Sequence, residues 1–166
     1  MKKLTLLFIL FVSLPLVLAA QSTIAEKTAE MEKYEGFFDF WWDDEEGKIW
    51  LEIDKPDEEF IYVNSLAAGV GSNDIGLDRS QLGNTRIVKF TKVGPKVLMV
   101  QPNYDFRASS ENELEKKSIE EAFAQSVIWG FEVEINEDGR LLVDATDFFL
   151  NDAHGVTGTL RSANQG

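Results

Sequence analysis

An aromatic segment near the N-terminus constrains the fold more than any other feature of the sequence. Residues 36–53 read GFFDFWWDDEEGKIWLEI. Successive side chains of a strand point to opposite faces, so this run places rings on both faces. One face would carry Phe38, Phe40 and Trp42, and the other Phe37, Asp39 and Trp41. An acidic turn ending in Gly47 and a second alternating run then predict a β-hairpin that is covered on both faces.

Further alternating or apolar runs extend this pattern. They span residues 60–63, 86–92, 97–100, 127–135 and 140–143, and each is bounded by turn residues. The number and spacing of these runs predict a β-rich α+β fold, with antiparallel sheet built from hairpins.

One main amphipathic helix is predicted between Ser110 and about Val127. Ser110 and Glu113 have the spacing of a capping box, and Glu113 and Lys117 have that of an i,i+4 ion pair. The apolar positions at helical spacing are Ile119, Ala122, Phe123 and Val127, with Ser126 on the same face. A second, short helical turn is predicted after Asp144–Thr146, carrying Phe148, Phe149 and Leu150.

Residues 1–20 have the pattern of a secretory signal peptide. Lys2 and Lys3 precede an apolar run from residue 4 to 18, and Ala19 and Ala20 supply small residues for cleavage. The run is too short to cross a bilayer comfortably, so no stable membrane anchor is expected, although an uncleaved N-terminal anchor is the alternative. We therefore expect an exported protein, periplasmic or extracellular. A polar lead-in, residues 21–34, and one non-catalytic domain, residues 35–166, would follow.

Composition excludes several functions. The chain has a formal net charge of −13, no cysteine and a single histidine, His154. Such a charge disfavours nucleic acid as a partner, and no disulfide can stabilise the fold. A zinc site needs three or four Cys, His or carboxylate ligands, and a serine triad needs a histidine; the sequence contains neither an HExxH motif nor a GxSxG elbow. His154 is interpreted as a surface or capping residue, and paired carboxylates for glycoside hydrolysis stay open because acids are abundant.

A glycine-rich stretch, SLAAGVGSNDIGLDRSQ at residues 65–81, is the candidate site. It resembles a dinucleotide fingerprint only at its start, because an aspartate stands where the third glycine belongs. It contains no P-loop, and the spacing of Asn73, Asp74 and Asp78 does not match the twelve-residue calcium loop, although calcium is not excluded. The favoured interpretation is a structural loop with special backbone conformations. Its candidate residues are Gly69, Gly71, Asn73, Gly76, Asp78 and Arg79.

Several motifs in succession resemble one family. They are GFFDFWWDDEEGKIWLEI, SLAAGVGSNDIGLDRSQLG, VKF, PNYDFRASSENELEKKSIEEAFAQSVIWGF and LVDATDFFLNDAHGV. Over residues 34–160 the chain resembles the domain of unknown function near the N-terminus of large secreted bacterial zinc-dependent metalloproteases. Arg107 is a further signature position of that resemblance. The family's HExxH domain lies well downstream, so the resemblance implies zinc only in such a downstream domain. No position of this sequence matches a catalytic or metal-binding residue of that family.

Two functions are therefore expected from the sequence. The first is an exported N-terminal accessory domain of a zinc-dependent metalloprotease, inactive alone, whose partner is the downstream catalytic domain of the same polypeptide. The second is a self-standing secreted module that binds peptide or glycan through exposed aromatics such as Trp41 and Trp50. The single predicted helix would cover only one face of the hairpin. We therefore expect residues 35–166 to be C-terminally incomplete, with a second cover from residues 148–150 or a downstream domain; the oligomeric state stays open.

Overall fold

The computed structural model describes residues 22–72, 74–104 and 111–164. The predicted signal peptide lies outside these ranges, as do Asn73, Arg107 and Ser110. Within them, no helix combines the length and apolar character that a membrane span requires.

Eight strands form one antiparallel curled sheet, in the order β1-β2-β3-β8-β7-β6-β5-β4. The strands are β1 (Glu32–Tyr34), β2 (Phe40–Asp43), β3 (Lys48–Ile53), β4 (Glu59–Tyr62), β5 (Arg86–Val93), β6 (Lys96–Gln101), β7 (Ser126–Glu137) and β8 (Arg140–Asp144). The short helices are α1 (Ile24–Lys27), α2 (Glu113–Ala122), α3 (Thr146–Phe149) and α4 (Val156–Ser162). The predicted β-rich antiparallel class is confirmed.

The aromatic hairpin is present with the predicted strands. Trp41 pairs with Trp50 and Phe40 with Leu51 across β2 and β3. In the turn, Asp43 accepts hydrogen bonds from two following backbone amides at 3.1 and 3.0 Å, and Gly47 has φ +66°. A carboxylate that bonds the turn amides, followed by a glycine in the left-handed region, fixes this turn.

Strand β7 belongs to both parts of the sheet. Its first part, from Ser126 to Glu132, pairs with β6, whereas its last part, from Val133 to Glu137, pairs with β8. We call β1, β2, β3 and β8 the first half-sheet, and β4, β5 and β6 the second. The curl brings the two half-sheets against each other across a shared core. That core contains Leu51, Ile53, Val88, Phe90, Val97, Met99, Phe131, Leu141, Val143, Ala145 and Phe148.

A second, smaller cluster lies on the outer face of the first half-sheet. It joins Ile24 of α1 to Trp41, Trp50 and Leu142, with Met31 and Ile135 packed against it. The N–H of Ile24 donates to the Glu137 carboxylate at 3.2 Å and ties α1 to the end of β7. The outer face of the hairpin is therefore covered by the lead-in.

This arrangement corrects the expected covers of the hairpin. Its inner face packs in the shared core, to which the C-terminal Phe148 also contributes, and not beneath an amphipathic helix. Its outer face packs beneath Ile24, a residue of the lead-in that the sequence reading did not consider as a cover.

The single main amphipathic helix is not supported. Helix α2 begins at Glu113, after Asn112 accepts the Leu114 amide at 3.0 Å, and it ends at Ala122. The Leu114 side chain is 77% exposed, so it packs against no core. The predicted Glu113–Lys117 pair is replaced by Glu113–Lys116 at 2.7 Å. Ser126 was predicted on the helix but belongs to β7, because β6 offers it a backbone partner, and Val127 belongs to β7 as the predicted strand 127–135 has it.

Candidate functional site

Polar side chains occupy inward positions at one end of the second half-sheet. Arg86 is two residues before the buried Val88 on β5, and Gln101 is two residues after the buried Met99 on β6. Alternation along a strand places Arg86 and Gln101 on the core side. Nη1 of Arg86 donates to Oε1 of Gln101 at 2.8 Å. The apolar core is thus closed at this end by hydrogen-bonding groups.

Of these two residues, Arg86 borders an open cleft of about 540 Å³, whereas Gln101 lines a separate cleft of about 370 Å³ that Arg86 also borders. The lining of the larger cleft is made by the end of β4, the start of β5, the start of β7 and the segment between α3 and α4. The lining residues are Tyr62, Asn64, Leu82, Gly83, Asn84, Arg86, Val127, Ile128, Trp129, Phe148, Asn151, Ala153 and His154. Phe148 forms an aromatic floor, since its ring centroid lies 5.8 Å from that of Tyr62 and 5.7 Å from that of Trp129.

The single histidine lies in the wall of this cleft. Nδ1 of His154 is 3.0 Å from Nδ2 of Asn64, and both side chains are half-buried. When Asn64 donates to Nδ1, the imidazole carries its proton on Nε2. Gly83 permits this contact, because a Cβ at that position would lie 2.3 Å from Oδ1 of Asn64. A second cleft of about 430 Å³ adjoins the first and shares Asn64 and His154 with it.

The C-terminal segment is positioned by carboxylate caps. Oδ1 of Asp144 accepts both the amide and the hydroxyl of Thr146, at 3.0 and 2.6 Å, where α3 begins. Asp152 accepts the amides of Val156 and Thr157 at 2.8 Å each, where α4 begins. These amides, with Thr157 contributing most, hold the pKa of Asp152 below its usual value. The two caps fix the segment that carries His154.

The glycine-rich stretch folds as a closed loop beside the cleft. A bridge between Ser65 and Leu82 closes its base, and Leu66 exchanges backbone hydrogen bonds with Gln81 and Ser80 at 3.0 and 2.8 Å. Inside the loop, the buried Leu77 accepts the Val70 amide at 3.1 Å. Among the loop residues that the structure describes, those that line the two clefts lie at this base.

The predicted site residues have different roles in the loop. Gly71 and Gly76 have φ values of +76° and +70°, a region that favours glycine. Gly69 allows the two sides of the loop to approach closely, because a Cβ there would lie 2.8 Å from the backbone nitrogen of Arg79. The Asp78 amide donates to the Gln81 side chain at 3.2 Å. The Arg79 side chain is exposed and makes no ion pair with any residue that the structure describes.

The structure therefore does not gather the predicted residues into a cleft, and Asn73 and Arg107 fall outside the described ranges. Sequence reasoning missed Asn64, Arg86 and Trp129. The segment RIVKF could have indicated Arg86, because strand alternation places it on the same face as the core residues Val88 and Phe90.

The charge of the larger cleft differs from that of the whole protein. The sequence contains 29 acidic residues, yet neither aspartate nor glutamate lines this cleft, and Arg86 is its one charged lining residue among those described. Across the described part of the chain, no group of three or more His, Cys, Asp or Glu residues is placed to hold a metal ion. The cleft offers aromatic surface, amides, an imidazole and one guanidinium.

Fold and cleft together define a β-rich domain with an aromatic-floored recess. A family model described as a domain of unknown function, DUF5117, matches residues 80–166, which is more than half of the chain. The chain belongs to this family. The match includes Arg86, Trp129, Phe148 and His154 but excludes Asn64. Neither the curated proteins nor the solved structures include a match to the chain.

Proposed function

We propose that this protein is an exported, non-catalytic accessory domain of a zinc-dependent metalloprotease, and that its cleft binds a polypeptide segment. The observation that carries the proposal is the aromatic floor formed by Tyr62, Trp129 and Phe148, bordered by side chains that form hydrogen bonds. The resemblance over residues 34–160 supports the assignment to a metalloprotease.

The shape and chemistry of the cleft fit a peptide. The two clefts adjoin, so together they offer an extended surface along the end of the second half-sheet. Asn84 presents an amide, which can both donate to and accept from a peptide backbone, whereas Nδ2 of Asn151 already donates to the Phe148 carbonyl at 2.7 Å and leaves its oxygen as an acceptor. The rings provide apolar contact area with few rotamers to immobilise.

A supporting role agrees with the side chains present. Hydrolysis by a zincin needs a metal held by several ligands and a general base. The only histidine of the sequence is bonded to Asn64 in the cleft wall. Zinc would therefore belong to a downstream catalytic domain, and this domain would position that domain or guide its substrate.

The self-standing binding module needs a different surface from the one expected. Trp41 and Trp50 are only 7% and 3% exposed, so the expectation that they are exposed binding aromatics is wrong. A module of that kind could use the same cleft, with Trp129, or the exposed rings of Phe37 and Trp42 on the hairpin.

The proposal is tested by reading the gene beyond codon 166 and by binding in trans. We expect an HExxH motif downstream, and we expect the polypeptide that contains it to bind the chain lacking residues 1–20 in isothermal titration calorimetry. Trp129→Ala should weaken this binding at least tenfold. Trp42→Ala, which changes a partly exposed tryptophan on the hairpin, is the matched control and should leave this binding unchanged. A downstream sequence without the motif, or equal binding by both variants, would reject the proposal.

A further inference from the structure

We propose that the cleft recognises a carboxylate attached to an apolar body, with Arg86 as the carboxylate-binding residue and the C-terminus of a peptide as the ligand. This inference rests on the proposed peptide binding. It adds that the bound peptide must end in a free carboxylate, which peptide binding alone does not require.

The first observation is the position of Arg86. It faces the core side of β5, directly beyond Val88, where an apolar residue would extend the core. The side chain is half-buried, and its guanidinium donates to the neutral amide of Gln101. Among the described residues Arg86 has no carboxylate partner, and burying part of a cation in that way is unfavourable, which points to a ligand that supplies one.

The second observation is the preorganisation of the guanidinium. An arginine has five N–H donors in a fixed fork, and the bond from Nη1 to Gln101 uses one of them. The remaining donors can bind both oxygens of a carboxylate in a bidentate pair. The bond to Gln101 also restricts the rotation of the side chain before the ligand arrives, which lowers the entropy cost of binding.

The third observation is the surroundings of Arg86. No acidic side chain lines the larger cleft among the described residues, so nothing there repels an anion at close range. Trp129 and Phe148 form the apolar part of the lining, and Asn64 and His154 form a polar wall. A terminal carboxylate beside an aromatic or aliphatic side chain matches both parts. Proteolysis produces such C-termini, which connects the ligand class to the proposed function.

The first experiment leaves the protein unchanged. Titration calorimetry would compare hexapeptides ending in Phe or Leu as the free acid with the same peptides ending in an amide. We expect the free acids to bind about tenfold tighter or more, because a charge-assisted bidentate pair is lost on amidation. Equal binding of acid and amide would overturn carboxylate recognition but leave peptide binding standing. Absence of binding by both would overturn this inference and the peptide-binding part of the proposed function together.

The second experiment changes the guanidinium. Arg86→Gln should reduce free-acid binding to the level of the amide, and Arg86→Lys should restore only part of it because an ammonium cannot form the planar fork. Arg79→Gln removes the same charge from the exposed loop and should change binding less than twofold. Thermal unfolding verifies that each variant is folded. Equal losses in Arg79→Gln and Arg86→Gln would show a general charge effect and overturn the assignment.

A third arm distinguishes two sources of the carboxylate. 3-Phenylpropionate contains the carboxylate and the ring but no peptide backbone. Weaker binding than the hexapeptides, still dependent on Arg86, supports a peptide C-terminus. Binding as tight as that of the hexapeptides would overturn the peptide C-terminus as the ligand and indicate a small free acid.

Discussion

The outer faces of the two half-sheets differ although both half-sheets contribute to the same core. On the first half-sheet, Trp50 and Leu142 are nearly inaccessible beneath Ile24. On the second, the cross-strand partners Ile61 and Ile87 are 69% and 44% exposed. Similar strands can therefore have a covered or a bare outer face, depending on what the rest of the chain supplies.

The covered face depends on a short part of the chain. Ile24 belongs to a four-residue helix that is stabilised by a capping box between Thr23 and Glu26. Lysine side chains add to the cover, since the Nζ atoms of Lys27 and Lys48 lie 4.5 and 5.5 Å from the ring centre of Trp50. The lead-in is thus a packing element of the first half-sheet.

The largest expected effect comes from the covered face. Trp41→Ala should lower the free energy of unfolding by about 3–5 kcal/mol, because it removes a buried aromatic side chain and leaves a cavity. Ile61→Ala on the bare face should cost less than about 1 kcal/mol. Urea denaturation monitored by circular dichroism measures both. Similar losses for the two variants would mean that the faces do not differ energetically.

A smaller loss is expected at the cover itself. Ile24→Ala should cost about 2 kcal/mol, near the lower end for a buried isoleucine because a short helix can adjust around the gap. Hydrogen exchange should also accelerate in β2 and β3 more than in β5 and β6. Ala25→Gly, at an exposed position of the same helix, serves as the control for helix propensity. Uniform acceleration across all strands would argue against a local cover.

An ion pair on the covered face should contribute less to stability than the buried side chains of Trp41 and Ile24. Arg140 donates to Glu52 at 3.0 Å and to Glu137 at 2.9 Å. The Glu52 side chain is 11% exposed, whereas that of Arg140 is 46% exposed, so solvent screens the pair. Arg140→Gln should cost about 1 kcal/mol, mainly because the Glu52 carboxylate loses its partner. Lys96→Gln, which breaks the exposed pair with Glu132, should have a smaller effect in the same denaturation assay.

The smallest effect on the free energy of unfolding is expected when the pH is lowered. The side chain of Lys33 at 2.7 Å and the Gly36 amide at 3.1 Å hold the pKa of Asp39 below its usual value. Because the folded-state pKa is depressed, the stabilisation is complete above the unfolded-state pKa and is lost as the pH falls through the folded-state pKa. Nuclear magnetic resonance titration should show the Gly36 amide changing with Asp39, and Asp39→Asn should abolish this change. A titration of Asp39 at its ordinary pKa would contradict the expectation.

Local patterns predicted the sheet well and the packing partners less well. The hairpin of β2 and β3 and the strands near residues 60, 90 and 130 follow from alternation, which depends on neighbouring residues alone. The role of Ile24 could not be predicted, because the alternation of β2 and β3 does not indicate which residue elsewhere in the chain covers Trp41. Ser126 has helical spacing with the residues before it, but it lies in β7 because β6 provides a strand partner. The cleft was missed because Asn64, Arg86 and His154 meet only after the sheet curls.

The pairing of β3 with β8 has a consequence for how the chain reaches its folded state. Ile49 donates to the hydroxyl of Thr146, a residue 97 positions further along the chain. The first half-sheet therefore cannot be completed until β8 is available, and β7 must form before the two half-sheets are joined. Closing so long a loop precedes most of the favourable contacts, so folding should be slow, on the order of milliseconds to seconds. The β2–β3 hairpin pairs neighbouring parts of the chain, whereas Trp50 gains its contact with Leu142 only when β8 is in place.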